Sequence, residues 1–480
     1  MDGIRASHER RTHVAWAASA HPKATSGAFI PGKVVVMMNL TELLPASEGL
    51  AAVRRTDPET ADILAAESAR QQSTICLIPS ENYASPAVSG ALSSTLANKY
   101  AEGYPHLWTN GDRVEQSGRY YQGQANTNAV ERLAIRRALA LFTPDPGNYH
   151  ANVQPLSGAP ANLAVLHAIL QPGDVFMGLK LAHGGHLTHG HHVTVTGEYY
   201  KAVQYGLDET GAIDYDELER LAVSSRPKLI FCGATAYPLQ IDFARIGAIA
   251  RQVSAVLVAD VAHIAGLCVT GLHPHPFPHA DIVTTTTHKI LRGPRGGLIV
   301  SKKQFGPAID RSVFPGLQGG PHMNAIAAIA VALKEAASDA YRAYAAQVVA
   351  NARELAEGLL NEGFRLVGGR TENHLLLLDV VNGTNGCRAK NGSYLAARWE
   401  KAGLVANKNP IPGDAKAWLP SGVRVGTPAV TTLGMKVGEM RQIARWMADA
   451  TRHADDESRL QTIAGEVARL MAAFVPPRAV

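Results

Sequence analysis

TTTTHK at residues 284–289, followed by LRGPRGG at residues 291–297, combines a β-branched polar run with a turn-rich segment. Threonines favour a strand, whereas glycine and proline favour a tight turn. The stretch therefore predicts a strand that ends by presenting the amine of Lys289 in a pocket, where it can form a Schiff base. A solvated surface lysine is the alternative for a lysine considered alone, because most lysines are exposed. The neighbouring motifs decide between the two.

The second informative stretch is VLVADVAH at residues 256–263, a short apolar run that ends in a carboxylate. Such a run is typical of a buried parallel strand. Ligands bind at the carboxyl ends of strands in open α/β sheets, which makes Asp260 a candidate for holding a proton on a pyridine nitrogen. A Schiff-base lysine and an aspartate on the pyridinium nitrogen are the protein groups that pyridoxal phosphate (PLP) chemistry uses.

The composition is that of a globular enzyme, with 46% hydrophobic and 18% charged residues among 480. A chain of this length is too long for one compact core, which predicts two or three lobes. The net charge of +5 without a dense Lys/Arg run gives no support to nucleic-acid binding. Four cysteines without metal-ligand spacing predict free thiols in a reducing compartment, and we expect a cytoplasmic location. No apolar stretch approaches the roughly 20 residues that cross a bilayer, so a soluble protein is expected.

Short apolar runs alternate with helical patterns between residues 151 and 303, which predicts an α/β fold with a mainly parallel sheet. The predicted strands cover residues 175–179, 229–232, 256–259, 282–286 and 297–300. Helical patterns are expected at residues 51–70, 163–170, 321–337, 341–360, 393–402 and 435–450, with strands at 374–381 and 423–425. The predicted organisation is a disordered extension (1–40), a helical arm (41–90), a large PLP-binding domain (91–338) and a small C-terminal α+β domain (339–480). The first 37 residues are basic and acid-poor, so a transit peptide is the alternative for that extension.

Two turns rich in small residues are candidates for binding a phosphate. SGAPAN at residues 157–162 precedes a helical pattern, and its backbone amides would lie at the positive end of the helix dipole. A plain helix cap is the alternative for this turn taken alone. FPGLQGGP at residues 314–321 precedes the alanine-rich helix. Two such turns flanking one lysine indicate an anionic cofactor.

The loop AHGGHLTHG at residues 182–190 contains three histidines within seven residues, which raises the question of a metal site. The intervening glycines would make a floppy cage, and no acidic or thiol ligand is nearby in the sequence. We therefore predict no metal, and interpret the loop as one that lays an imidazole on an aromatic ring.

Arg424 lies on a short apolar stretch between glycines, SGVRVGTP at residues 421–428. Its guanidinium presents a planar fork that suits a carboxylate. A structural ion pair is the alternative for this arginine.

Taken together, these stretches resemble serine hydroxymethyltransferase, a family of fold-type-I PLP enzymes, from about residue 42 to the C-terminus. The resemblance also rests on PSENY at 79–83, NKYAEGYP at 98–105 and RYY at 119–121. It implies a mainly parallel seven-stranded sheet in the large domain and a smaller α+β domain. It further implies reversible transfer of the hydroxymethyl carbon of L-serine to tetrahydrofolate, giving glycine and methylenetetrahydrofolate.

The resemblance assigns roles to individual residues. Lys289 would carry the cofactor, Asp260 would hold the pyridine nitrogen, His186 would stack on the ring and His263 would lie near the ring hydroxyl. The remaining cofactor contacts implied are Ser157, Gly158, Ala159, Thr235 and His288, with Gly319 and Gly320 reaching the phosphate from a neighbouring subunit.

The implied substrate site is shared between the two subunits of a homodimer, and the sequence leaves dimer and tetramer open. Ser80 and Arg424 would hold the amino acid carboxylate, while Tyr100, Glu102 and Tyr121 line the pocket across the interface. Glu102 is the expected acid/base, because a partly apolar pocket can raise the pKa of a carboxyl. The residues implied at the folate are Leu181, Gly185, Leu187 and Asn409.

The chain departs from the family pattern at four places. Residues 106–117 are inserted into a normally tight turn, which predicts a rebuilt pocket entrance. Two glycines usually follow the tyrosine pair, with an acidic residue soon after, whereas this chain has Gln122, Gly123, Gln124, Ala125 and Asn128 there. Ala159 replaces a serine, which removes a side-chain hydroxyl that could bind the phosphate but keeps the backbone amide. At the folate end, residues 416–418 (KAW) replace the usual Ser-Pro-Phe.

Three alternatives therefore stay open. The same fold could serve an α-methylserine hydroxymethyltransferase, or a threonine aldolase or transaldolase that needs no folate. A non-catalytic scaffold is the alternative of another class. The presence of Lys289, Asp260, His186 and Arg424 together argues against a scaffold, which has no use for the amine.

Overall fold

The structure of the protein is a computed structural model that describes residues 48–414 and 419–477. Its strands are β1 (Ile75–Cys76), β2 (Leu107–Thr109), β3 (Asp112–Val114), β4 (Tyr149–Asn152), β5 (Val175–Leu179), β6 (Lys201–Tyr205), β7 (Leu229–Gly233), β8 (Val256–Asp260), β9 (Ile282–Thr286), β10 (Gly297–Lys302), β11 (Arg365–Leu366), β12 (Leu375–Asp379), β13 (Leu404–Val405), β14 (Asn407–Asn409) and β15 (Gly422–Gly426). Its α-helices are α1 (Glu48–Thr56), α2 (Pro58–Ser73), α3 (Pro86–Leu92), α4 (Ala125–Phe142), α5 (Gly158–Ile169), α6 (Val195–Tyr199), α7 (Tyr215–Ser225), α8 (Phe243–Gln252), α9 (Ala265–Val269), α10 (Gly306–Arg311), α11 (Met323–Ala336), α12 (Asp339–Glu362), α13 (Gly392–Lys401), α14 (Pro428–Thr432), α15 (Val437–Arg452) and α16 (Glu457–Met471). The predicted N-terminal extension and the KAW segment at 416–418 lie outside the described residues.

Seven strands form the central sheet in the order β4-β10-β9-β8-β7-β5-β6. The neighbours from β9 through β8, β7 and β5 to β6 are parallel, whereas β10 is antiparallel to both β9 and β4. Strands β7, β8 and β9 are almost wholly buried, as expected for apolar runs covered by helices on both faces. The predicted α/β fold with a mainly parallel seven-stranded sheet is confirmed.

Two hydrophobic clusters cover the faces of this sheet. One includes Ile230, Leu257 and Val283 and extends to helices α4, α8 and α11. The other includes Phe231, Val258 and Ile282 and packs against α5. Successive residues of one strand therefore enter opposite clusters, which is the alternation that a strand imposes. The sheet is fixed from both sides, and its carboxyl edge is held rigidly.

A second sheet of four antiparallel strands, β11-β12-β15-β14, lies in the C-terminal part of the chain. It shares a hydrophobic cluster with α12, α13, α15 and α16, in which the indole of Trp399 is fully buried. The indole nitrogen donates to the hydroxyl of Thr451 at 3.0 Å. This arrangement places Arg424, on the central strand β15, at a fixed position.

Several predicted elements differ from those observed. The helical pattern of residues 51–70 is two helices, because Asp57 caps a new helix that begins at Pro58. Lys289 does not lie on a strand: β9 ends at Thr286, and the lysine begins a turn closed by the bond from the Arg292 amide to its carbonyl. The inserted residues 106–117 contain the hairpin β2–β3.

Within the described ranges, no helix combines the length and apolarity needed to span a bilayer. The four cysteines are buried free thiols.

Candidate active site

A cavity of about 350 Å³ opens at the carboxyl end of the central sheet. Residues from both sheets meet there, since Asp260 ends β8 of the large sheet, Lys289 lies in the turn after β9, and Arg424 comes from β15. The lining also includes Ser80, Ser157, Gly158, Ala159, His186, Thr235, His263 and His288. The sequence motifs predicted for cofactor and carboxylate thus converge on one cavity.

Asp260 ends β8 at the centre of the sheet, between Gly233 of β7 and Thr284 of β9. Its carboxylate accepts from Asn162 Nδ2 at 2.8 Å, from the Ala262 amide at 3.0 Å and from His189 Nε2 at 3.2 Å. Burial alone would raise the pKa of this carboxyl, but the hydrogen bonds and charges of its neighbours, led by His189, outweigh burial and lower the pKa well below its usual range. Asp260 therefore carries a negative charge that can hold a proton on a neighbouring base.

Lys289 faces the cavity from the turn that follows β9. Its backbone is fixed by a bond from Asn82 Nδ2 to its carbonyl at 3.1 Å and by the turn to Arg292. Burial lowers the pKa of the amine to about 8, although the charge of Asp260 opposes the shift. A larger neutral fraction near physiological pH makes this amine a better nucleophile than an ordinary lysine.

The amino end of helix α5 borders the cavity through Ser157, Gly158 and Ala159. Ser157 is the N-cap residue, but its hydroxyl makes no capping bond and is free for a ligand. A Cβ added to Gly158 would lie 2.7 Å from Thr286 Cγ2, so only glycine lets this helix end approach β9 so closely. His288 lies beside it, and its Nδ1 is buried with no partner among the described residues. This end of the cavity is suited to an anion.

Arg424 forms the opposite wall and is buried. Its Nε donates to Asn407 Oδ1 at 3.1 Å, one terminal nitrogen donates to the Thr235 carbonyl, and the other lies 3.5 Å from Ser80 Oγ. The structure gives Arg424 no carboxylate partner among the described residues, which excludes the predicted alternative of a structural ion pair there. Burial lowers the pKa of the guanidinium to about 10, so it stays charged at neutral pH.

Two of the histidines that line the cavity with Lys289 and Asp260 are His186 and His263. Burial lowers the pKa of His186 to about 4. His263 stacks on His374 with ring centroids 5.6 Å apart, and burial holds the pKa of His263 well below its usual value. The rings of His186 and His263 are therefore neutral near pH 7, and can stack or hydrogen-bond without adding charge.

Five of the residues predicted for the site do not line the cavity of their own chain. Tyr100 and Tyr121 are 56% and 44% exposed, and their hydroxyls lie 3.4 Å from the two oxygens of Glu102. Gly319 and Gly320 lie beside them, since a Cβ on either would be about 3.3 Å from Glu102 or Tyr100. These five residues form one surface cluster.

The residues implied at the folate do not line the cavity. Leu181, Gly185 and Leu187 flank His186 on its loop, which is fixed by the bond from Thr235 Oγ1 to the Gly185 carbonyl at 2.8 Å. Asn409 pairs with Gly422, two residues before Arg424.

Although no acidic residue is near the histidine loop in the sequence, one lies near it in the structure. Asp260 contacts His189, and ligand atoms of His186, His189 and Asp260 lie within 4.8 Å of one another. The loop's other histidine, His183, accepts from the Leu207 amide instead. The three histidines of the loop thus do not form a common cage.

Comparison with known proteins identifies the family. The family model for serine hydroxymethyltransferase matches residues 53–447. Proteins named serine hydroxymethyltransferase from Sorangium cellulosum (strain So ce56) and Acidothermus cellulolyticus (strain ATCC 43068 / DSM 8971 / 11B) are each 50% identical to this chain. The matches cover 90% and 89% of this chain and 97% of each relative. The chain belongs to the serine hydroxymethyltransferase family. A third member, from Desulfotalea psychrophila (strain LSv54 / DSM 12343), is 46% identical over 90% of this chain.

Serine hydroxymethyltransferases use PLP and a folate, and the cavity fits the first of these groups. The unpartnered His288 Nδ1 and the close approach at Gly158 provide an anion site at one end. Lys289 and the ionised Asp260 provide partners for an aldehyde and a ring nitrogen on the same cavity.

Sequence reasoning missed the residues that support Asp260. Asn162 Oδ1 accepts from Thr284 Oγ1 at 2.7 Å, which aims the amide Nδ2 at Asp260. His189 stacks on Phe231, which aims its Nε2 at the same carboxylate. Arg295 also lines the cavity. Asn162, His189 and Arg295 all lie in motifs that the sequence singled out, but their roles depend on contacts across the sheet.

Proposed function

We propose that the protein catalyses PLP-dependent, reversible transfer of the hydroxymethyl carbon of L-serine to tetrahydrofolate, giving glycine and methylenetetrahydrofolate. One observation carries the proposal: Lys289, Asp260 and Arg424 line the same cavity. An amine, a carboxylate for a ring nitrogen and a guanidinium for an amino acid carboxylate are the groups that this reaction needs from the protein.

When bound, PLP supplies the electron sink that stabilises negative charge on the amino acid. Lys289 would hold the cofactor. Asp260 would keep a proton on the ring nitrogen, because its own lowered pKa leaves it charged. His186 would pack against the ring, and His263 and Thr235 would lie beside it. Ser157, Gly158, Ala159 and His288 would hold the phosphate.

Arg424 and Ser80 orient the substrate carboxylate. The guanidinium is already fixed by Asn407 and the Thr235 carbonyl, so little conformational entropy is lost when it binds a carboxylate. The side chain of serine then faces the acid/base that moves its hydroxyl proton, a role we assign to Glu102.

We propose that Glu102 acts in the active site of the other subunit of a homodimer. Tyr100, Glu102, Tyr121, Gly319 and Gly320 cluster at the surface of the described structure and do not line its cavity. Large exposed aromatic side chains beside glycines are typical of a contact surface. A second copy would thus receive this cluster at its cavity.

We place the proposed folate site between the His186 loop, which carries Leu181, Gly185 and Leu187, and β14, which carries Asn409. Serine turnover measured with and without tetrahydrofolate tests the function. We expect turnover only with tetrahydrofolate, and slower turnover of threonine and α-methylserine than of serine. Serine cleavage at the same rate in both conditions would instead favour an aldolase.

We expect PLP binding by the cofactor-free protein to speed up as the pH rises through about 8. Only the neutral amine attacks an aldehyde, and burial lowers the pKa of Lys289 to about 8, so the neutral form accumulates from that pH upward. The association rate measured from pH 6 to 10 should be half-maximal near pH 8. A rise centred near the ordinary lysine value of about 10.4 would contradict this environment.

Arg424→Lys should raise the KM for serine by roughly 10- to 100-fold with a smaller effect on kcat. Lysine keeps the charge but loses the planar fork, and a hydrogen bond to a charged group contributes about 1.5–3 kcal/mol. Steady-state kinetics at saturating tetrahydrofolate measure the effect. The exposed Arg353, changed to lysine, is the matched control and should leave KM unchanged.

A further inference from the structure

A second cavity, of about 390 Å³, lies under the inserted hairpin β2–β3. Its walls are Trp108 and Arg113 of the hairpin, helix α4, and residues at the ends of β4 and β10. It shares no lining residue with the cavity of Lys289. We call it the hairpin cavity.

The charges around the hairpin cavity are strongly unbalanced. Four cationic side chains line it, namely Arg113, Arg132, Arg136 and Lys303, against the single carboxylate of Glu115. Glu115 is shared, because it pairs with Arg113 at 2.8 Å and with Arg132 at 2.7 Å. Lys303 pairs with Asp112 at 3.0 Å outside the lining.

Two guanidiniums retain unused hydrogen-bonding capacity. The side chain of Arg113 is only 18% exposed, and its Nε is buried without a partner among the described residues. The structure shows no ion pair for Arg136 among the residues it describes. Converging guanidiniums with free donors favour an oxyanion that they can hold through several bonds.

Most of the remaining surface of the hairpin cavity is apolar, although His150 also lines it. Ile135, Leu139 and Ala140 of α4 and Tyr149 of β4 form one side. Trp108 forms another, and it cannot swing freely because its indole nitrogen donates to Asp310 at 2.8 Å. Asp310 is itself buried. A rigid aromatic wall next to cations suits a ligand with an apolar body and an anionic end.

We propose that the hairpin cavity binds a phosphomonoester of an aromatic or apolar alcohol. Its four cations and one carboxylate match a ligand that carries close to two negative charges better than a monoanion, and a phosphomonoester has that charge near neutral pH. The apolar side accepts the body of the ligand. The hairpin that closes the cavity is the insertion, so this site belongs to a feature that departs from the family pattern.

Phenyl phosphate is the probe, titrated calorimetrically into the full-length protein saturated with PLP so that the cofactor's phosphate site is filled. We expect one site per chain. Benzoate and inorganic phosphate should bind at least about tenfold more weakly, because benzoate lacks the phosphate and inorganic phosphate lacks the apolar body. Arg136→Gln should weaken phenyl phosphate binding about tenfold. Lys303→Gln should also weaken phenyl phosphate binding.

Arg353→Gln removes the same charge from an exposed site on α12 and should bind phenyl phosphate as the unaltered protein does. Serine turnover should be unchanged in Arg136→Gln, since this exposed residue is remote from the Lys289 cavity. Absence of binding, or binding of equal strength in Arg136→Gln, would overturn the proposal.

Discussion

Lys289→Ala is expected to lower kcat for serine by at least about 10³-fold. In the proposed function the amine would be the attachment point of the cofactor, and no other side chain can replace a covalent role. Its turn is held by Asn82 and by the backbone bond from Arg292, and neither contact uses the amine. Alanine should therefore leave the fold intact. Turnover and thermal unfolding measured on the same preparation separate the two effects.

The matched control for this change is Lys334→Ala, which removes an exposed amine from helix α11. It should turn over serine as the unaltered protein does, since alanine also favours the helix. Lys289→Ala with more than a tenth of the original kcat would show that the amine is not required.

Asp260→Asn is expected to lower kcat by roughly 10²- to 10⁴-fold, the range of proton-transfer catalysis. Asparagine preserves the shape but lacks the negative charge that keeps a proton on a ring nitrogen. It also presents an amide to donors that the carboxylate now accepts from, including Asn162 Nδ2 at 2.8 Å. Cofactor affinity should fall with the rate. Kinetics at saturating PLP, together with the absorbance of the bound cofactor, measure both.

Asp339→Asn is the control for loss of one carboxylate, because Asp339 is fully exposed at the start of α12. Its kinetics should match those of the unaltered protein. If Asp260→Asn retained normal kcat and normal cofactor absorbance, the ring nitrogen would not depend on Asp260, and the orientation of the cofactor proposed here would be wrong.

The strands that the sequence predicted well are those buried on both faces. Strands β5, β7, β8 and β9 begin at the predicted residues, because a continuous apolar run bounded by polar residues has few other interpretations. The edge strand β6, KAVQY, is mostly half-buried and was not predicted. Its mixed composition gains strand character only from pairing with β5.

The direction of β10 could not be predicted from the apolar pattern of the sequence. Apolar runs indicate a strand but not its orientation, and β10 is antiparallel to β9. The connection between them at 287–296 is shorter than the dozen or more residues that a parallel crossover needs. The turn that carries Lys289 is thus a hairpin connection, which explains why the lysine follows the strand and does not lie on it.

The main residues of the site were predictable, and their supports were not. Lys289, Asp260 and Arg424 stand out because each is a charged group next to an apolar strand. Asn162 and His189 become recognisable only when α5 and the histidine loop meet at β8. The hairpin cavity could not be predicted from the sequence either, since its four cations come from three separate segments.

Reduction of the PLP-loaded protein with borohydride, followed by mass spectrometry of its peptides, tests the central claim most directly. Borohydride fixes a bond between an amine and the cofactor aldehyde, so the modified residue can be read from the peptide. We predict a pyridoxyl group on Lys289 in nearly every chain, and none on the neighbouring lysines. A modification elsewhere, or an unmodified Lys289 in protein that retains its cofactor, would contradict the account.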